Sequence, residues 1–155
     1  RYGWRPPLVD FLRKHQINIE AFGPGWPNGI VSEPEMVQII NGSRINIGVG
    51  GIGYSNKSQC LKGRDFEVPM CGALYLTSYN PELELVYELE REISTYRTDQ
   101  ECLAKVRFFL SNPSLADAIR HAARETCLRK HSWKRRFMDL IELLNASIVR
   151  GSREC

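Results

Sequence analysis

The sequence predicts an α/β fold, a parallel doubly wound sheet with helices on both faces. Short β-branched runs ("INIEAF", "RINIGV", "GALYLTS", "EISTY") alternate with capped, amphipathic stretches. Loops rich in glycine, proline and asparagine end the runs: "GPGWPNG", "GVGGIGYSNKSQC" and "TSYNPE". Strands separated by helical segments pair in parallel through crossovers, and ligands of such sheets bind outside the carboxyl ends of the strands.

Taken in order, "PPLVDFLRKH" reads as a helix, with Pro7 in its first turn and Leu8, Phe11 and Leu12 on one face. "INIEAF" (residues 17–22) is expected to be a strand, ended by "GPGWPNG". "SEPEMVQIINGS" opens on a capping box, Ser32 with Glu35, and turns Met36, Ile39 and Ile40 inward. "RINIGV" is the second strand and "LKGRDFEVP" a short helix stopped near Pro69. "GALYLTS" and "EISTY" are the third and fourth strands. Thr98 with Glu101 caps the helix "DQECLAKVRFFLSN". Pro113 starts another that runs to about His131, and Ser132 caps a last one, "WKRRFMDLIELLNASIV".

At 155 residues, with 43% hydrophobic and 25% charged side chains, the chain is the size of one globular domain. A net charge of +3 is too small to predict a nucleic-acid partner. Five scattered cysteines without a C-x-x-C pair fit a reducing compartment and no zinc site, so a cytoplasmic location and no metal are expected. No apolar run has the length of a membrane span. The abrupt opening "RYGWRPPLVDFLRKH" is expected to belong to a fragment whose first strand lies upstream.

Gly48, Gly50 and Gly53 follow the second strand in the spacing G-x-G-x-x-G. Such glycines bring backbone N–H groups close to phosphate, but the dinucleotide motif also needs a helix opening on them. Here "YSNKSQCLKG" follows, polar and without apolar period, so a nicotinamide or flavin enzyme is disfavoured.

The run "LKGRDFEVPMCGALYLTSYNPELE", with Lys62, Arg64, Phe66 and Glu67 ahead of Cys71-Gly72, resembles the donor-binding segment of GT-B glycosyltransferases. It is most similar to the CgeB-like, or glycosyltransferase group 1-like, family. "GPGW" and the helices from "TYRTDQECLAKV" to "HSWKRRFMDLIELL" extend the resemblance over nearly the whole chain. The resemblance implies a Rossmann-like domain, the carboxyl-terminal, donor-binding half of a GT-B fold. An amino-terminal half would then supply the acceptor pocket and any general base, so no catalytic base is assigned here. It implies a nucleoside-diphosphate sugar as donor substrate and no cofactor. Glu67 would bond the ribose hydroxyls, with Lys62 and Arg64 near the diphosphate. A carboxylate suits a ribose diol, and fixed cations suit the charge that grows on a leaving diphosphate. Gly50, Gly51 and Gly53 would form the phosphate-side loop.

Many retaining relatives carry two glutamates with seven residues between them, and the first of those positions is Gln59 here. An amide bonds a sugar hydroxyl but supplies no charge. Tyr54 and Trp26 are candidates for stacking on the base, and Thr77 and Ser78 end a strand at the ligand edge. Tyr79, Asn80 and Glu82 follow in the same loop, and His15, His121 and His131 read as structural. The basic cluster Arg129, Lys130, Lys134, Arg135 and Arg136 is a solvated helix face or a peripheral membrane contact. Two rivals stand beside the transferase: a non-catalytic nucleotide- or sugar-binding module of a spore or surface-assembly protein, and a dinucleotide-dependent oxidoreductase.

Overall fold

The computed structural model describes residues 3–52 and 55–151. Its centre is a parallel sheet of three short strands, β1 (Asn46–Gly48), β4 (Tyr75–Ser78) and β5 (Ser94–Tyr96). They stand in the order β1-β4-β5, in register from Asn46↔Tyr75 to Gly48↔Thr77 and from Leu76↔Ser94 to Ser78↔Tyr96. A second, antiparallel pair, β2 (Gly51–Ile52) and β3 (Ser55–Gln59), rises from the end of β1.

Alternation along β4 builds two cores, because successive side chains leave opposite faces of a strand. Tyr75 joins Ile40, Val68, Leu83, Tyr87, Ile93 and Ala123 on one face. Leu76 joins Leu8, Leu12, Tyr96, Cys102 and Val106 on the other. Helices α1 (Arg5–Lys14) and α4 (Asp99–Ser111) therefore cover the second face. The first is covered by α2 (Glu33–Gly42), α3 (Arg64–Met70) and α5 (Pro113–Thr126). Leu74, Phe109, Ala116 and Ile119 form a smaller third cluster.

The helix starts follow their capping chemistry. Prolines occupy the first turns of α1, α2 and α5, where the missing N–H costs nothing. The Glu35 carboxylate accepts from the Ser32 backbone N–H (2.8 Å) and hydroxyl (2.7 Å). At α4, Thr98 Oγ1 accepts from the Glu101 N–H at 3.1 Å, while Glu101 reaches back to the Arg97 N–H at 2.8 Å. Gly72, at φ 74°, closes α3 in the left-handed conformation that favours glycine.

Residues 17–22 form no strand, contrary to the expectation from their alternation. Ile17 and Ile19 do pack against the α1–α4 core, so the apolar period has its physical outlet. Their carbonyls find side chains instead of a ladder: the Arg13 guanidinium donates twice to Ile19 O (3.3 and 3.2 Å) and Asn28 to Ala21 O. The segment after the glycines, expected to be a loop, is the β2–β3 hairpin. Residues 81–85 form a 3-10 turn capped by Asn80 Oδ1, which accepts from the Glu82 N–H. The helix from Pro113 changes at Cys127–His131 into a π turn before α6 (Trp133–Gly151). Among the described residues no helix is long and apolar enough to cross a membrane.

Candidate functional site

The carboxyl ends of β1, β4 and β5 meet the glycine segment, and the contacts there are specific. Gly48 has no room for a side chain: a Cβ would lie 2.5 Å from Thr77 Oγ1 and from Tyr75 Cζ. This glycine lets β1 close onto β4. The Gly50 N–H donates to Ser78 Oγ at 2.5 Å, and a Cβ on Gly51 would meet Ser55 O at 2.8 Å across the hairpin. The Tyr96 hydroxyl, from the third strand, donates to Gly48 O at 2.7 Å.

Lys62 is the clamp of this segment. Its ammonium donates to Val49 O at 2.8 Å and to Gly51 O at 2.7 Å. Its backbone N–H donates to Asp65 at 2.6 Å. Asp65 is buried and also accepts from the Tyr75 hydroxyl at 2.8 Å, while its carbonyl accepts from the Tyr87 hydroxyl at 2.7 Å. Burial pushes the Asp65 carboxyl above the usual aspartate value, against the hydrogen bonds from Lys62 and Tyr75. Through its carboxylate and its carbonyl, this one residue ties the entry of α3 to β4 and to the segment after the 3-10 turn. Sequence reading passed over Asp65, although an acid three residues after Lys62 at a helix start is a capping signal.

Two depressions flank this clamp. The first is a strand-end hollow of about 200 Å³ lined by Gln59, Ser78, Tyr79, Tyr96 and Arg97. The second is a groove of about 360 Å³ between α2 and α3, lined by Glu33, Met36, Val37, Ile40, Glu67, Met70 and Cys71. The Glu67 carboxylate folds back over the start of α3, so that a Cβ on Gly63 would meet its Oε1 at 2.8 Å. Glu67 is exposed and accepts no hydrogen bond among the described residues. Arg64 Nη2 lies 4.0 Å from Met36 Sδ, on the same groove. Burial and the Glu67 charge push the Cys71 thiol up, against Arg124, so it remains protonated at neutral pH.

The candidate residues therefore divide. Glu67 lines the α2–α3 groove and Arg64 reaches only its edge, against Met36, whereas Gln59 and Ser78 share the hollow with Gly50 beside it. Lys62 holds backbone between the two, and Thr77 is sealed beneath Gly48 at 1% exposure. Trp26 is buried, and Tyr54 with Gly53 lies outside the described residues. His15 Nδ1 lies 2.9 Å from Phe11 O. His131 sits against Phe66 and Tyr87, and burial lowers its basicity. Of the basic cluster, Arg135 pairs with Asp139 at 2.8 Å and Arg136 lies over the Phe66 ring. Among the described residues no three His, Cys, Asp or Glu side chains gather as a metal site.

A sequence family described as glycosyl transferase-like matches residues 5–142, from the start of α1 into the first half of α6. The chain belongs to the glycosyl transferase-like family. No curated protein matches the sequence. As a glycosyltransferase domain it has a sugar donor and an acceptor as its substrate classes, and both depressions lie within the matched residues.

Proposed function

We propose that this glycosyltransferase domain is the donor-binding half of a GT-B enzyme of the CgeB-like kind, and that it takes a nucleoside-diphosphate sugar in the α2–α3 groove. The observation that carries the reading is the Glu67 carboxylate beside an apolar wall in one groove, with Arg64 at its edge against Met36. The Glu67 carboxylate has unoccupied acceptor positions, which suit the two hydroxyls of a ribose. Met36, Val37 and Met70 offer a flat apolar surface to a base, and the Arg64 fork suits a phosphate edge. When the sugar–phosphate bond breaks, charge grows on the departing diphosphate, and a guanidinium at the groove edge stabilises it. The Lys62 ammonium serves indirectly: by gripping Val49 O and Gly51 O it sets the position of the glycine segment over which the ligand passes. The acceptor pocket and general base belong, in this reading, to an amino-terminal domain, and the enzyme works in the cytoplasm.

Titration of the 155-residue chain with uridine, guanosine and thymidine diphosphate sugars tests the proposal, with NAD as the competitor. A nucleoside-diphosphate sugar is expected to bind more tightly than NAD. Glu67→Ala is expected to weaken it by about ten- to a hundredfold, the loss of charge-assisted hydrogen bonds of roughly 1.5–3 kcal/mol. Unchanged affinity in a well-folded Glu67→Ala protein refutes the placement. Gln59 favours a second reading, a binding module without turnover, because its amide brings no charge to the site. Transfer by the complete enzyme decides between the two.

A further inference from the structure

Arg97, at the end of β5, is a cation that the reading above does not use. Its guanidinium lies 3.5 Å from the centre of the Tyr79 ring and opens onto the strand-end hollow. Tyr79 is itself held, its hydroxyl donating to Glu84 Oε1 at 2.8 Å. Stacking on a fixed ring keeps the guanidinium plane in place and leaves its N–H edges open for a bidentate partner. Among the described residues no carboxylate forms an ion pair with it. Its neighbour Glu101 bonds the Arg97 backbone N–H and lies 3.7 Å from Lys105. Two other cations near these strands are engaged: Lys62 with Val49 O and Gly51 O, Lys105 with Glu90 and Thr95 O.

The rest of the lining points the same way. Ser78 Oγ already accepts from the Gly50 N–H, so its own hydroxyl hydrogen is left to donate. Gln59 adds an amide N–H₂. The hollow thus presents a guanidinium fork, a hydroxyl and an amide, and no acid lines it. Donors of that number and spread suit the three oxygens of a phosphoryl group, which carries more charge and more acceptor positions than a carboxylate.

We propose that the hollow lined by Gln59, Ser78, Tyr79, Tyr96 and Arg97 is a phosphoryl subsite, with the Arg97 guanidinium as its anchoring cation and Ser78 and Gln59 completing the contacts. It rests on the proposed transferase reading only in assigning the phosphoryl group to a substrate, either the diphosphate of the donor or a phosphorylated acceptor. In both cases Arg97 is a binding residue distinct from the ribose contact at Glu67.

Calorimetric titration of the full chain with inorganic phosphate and pyrophosphate tests the subsite. Pyrophosphate is expected to bind, and Arg97→Ala to weaken it by at least about tenfold, as for loss of a charge-assisted pair. Arg97→Lys keeps the charge but not the fork, and is expected to fall between. Arg91→Ala, which removes a cation paired with Glu88 at 2.7 Å, is expected to change nothing. Pyrophosphate that does not bind, or binds equally to a well-folded Arg97→Ala protein, overturns the inference. The same proteins titrated with a nucleoside and its diphosphate distinguish the sources. Weakening confined to the diphosphate identifies the donor, and weakening of pyrophosphate alone identifies a phosphorylated acceptor. Because Glu67→Ala is read on the nucleoside-diphosphate sugar and Arg97→Ala on pyrophosphate, which has no ribose, failure of one proposal leaves the other standing.

Discussion

Replacing Lys62 with methionine keeps the length and apolar stem of the side chain and removes its ammonium. Two hydrogen bonds disappear, to Val49 O at 2.8 Å and to Gly51 O at 2.7 Å. A charge-assisted hydrogen bond contributes about 1.5–3 kcal/mol, and at this half-buried position water reoccupies part of each freed carbonyl, which leaves about 2 kcal/mol for the pair. For a chain of this length about 2–4 °C of melting temperature goes with each kcal/mol, so a drop of about 4–8 °C is expected. Hydrogen exchange adds a local reading: amides of β2 and β3 should lose protection before those of β4. If Lys62 were instead a free phosphate ligand, the unliganded protein would melt unchanged and only nucleotide affinity would fall. A melting temperature within about 1 °C of the parent would refute the clamp, since surface changes of no structural consequence fall in that range.

Gly48→Ala is expected to destabilise by about 1–3 kcal/mol in urea unfolding, the usual result of overpacking, because Thr77 and Tyr75 are buried and cannot retreat from the new methyl group. Tyr87→Phe removes a hydroxyl that donates to Asp65 O and lies 2.9 Å from Cys127 Sγ; a loss of about 1–2 kcal/mol is expected by the same measurement. Burial raises the Glu90 carboxyl, but hydrogen bonds from Lys105, the Thr95 N–H and Ser94 outweigh it and leave the group below the ordinary 4.5. The stability it gives is therefore present above pH 4.5 and lost as pH falls through the lowered value. Glu90→Gln is expected to make unfolding less dependent on pH in that acid range, as followed by circular dichroism.

The helices were legible because their signals are local. Ser32, Thr98 and the first-turn prolines announce their ends whatever the rest of the chain does. Strands β1, β4 and β5 were legible through their branched apolar runs, each shorter than the run itself. Residues 17–22 carry the same signal without a ladder, since alternation records burial and not whether a neighbouring strand edge is free. The β2–β3 hairpin was hidden for the opposite reason: "SNKSQ" is polar on both faces and leaves no apolar period. At the site, the family resemblance named Glu67, Arg64 and Lys62 as donor-binding candidates. The structure sets Glu67 in the α2–α3 groove and Arg64 at its edge, and Lys62 was legible only as a cation. That its ammonium is taken up by two carbonyls depends on the fold-back of the glycine segment, which no spacing encodes. Arg97 was missed because, between a strand and a capping threonine, it reads as a linker residue.

The three parallel strands lie side by side in the order in which they occur along the chain. Among the described strands none has to insert between two that are already paired. Each arrives with its crossover behind it and docks on the edge its predecessor left, the least obstructed way to extend a parallel sheet. The hairpin between the first two needs only local contacts, which form in about 1–10 μs. Assembly can thus proceed in one direction during synthesis. The Tyr96 hydroxyl reaches Gly48 O only after the last strand has docked. The glycine segment thus receives this tie from the far strand late, as a latch closed on a finished sheet.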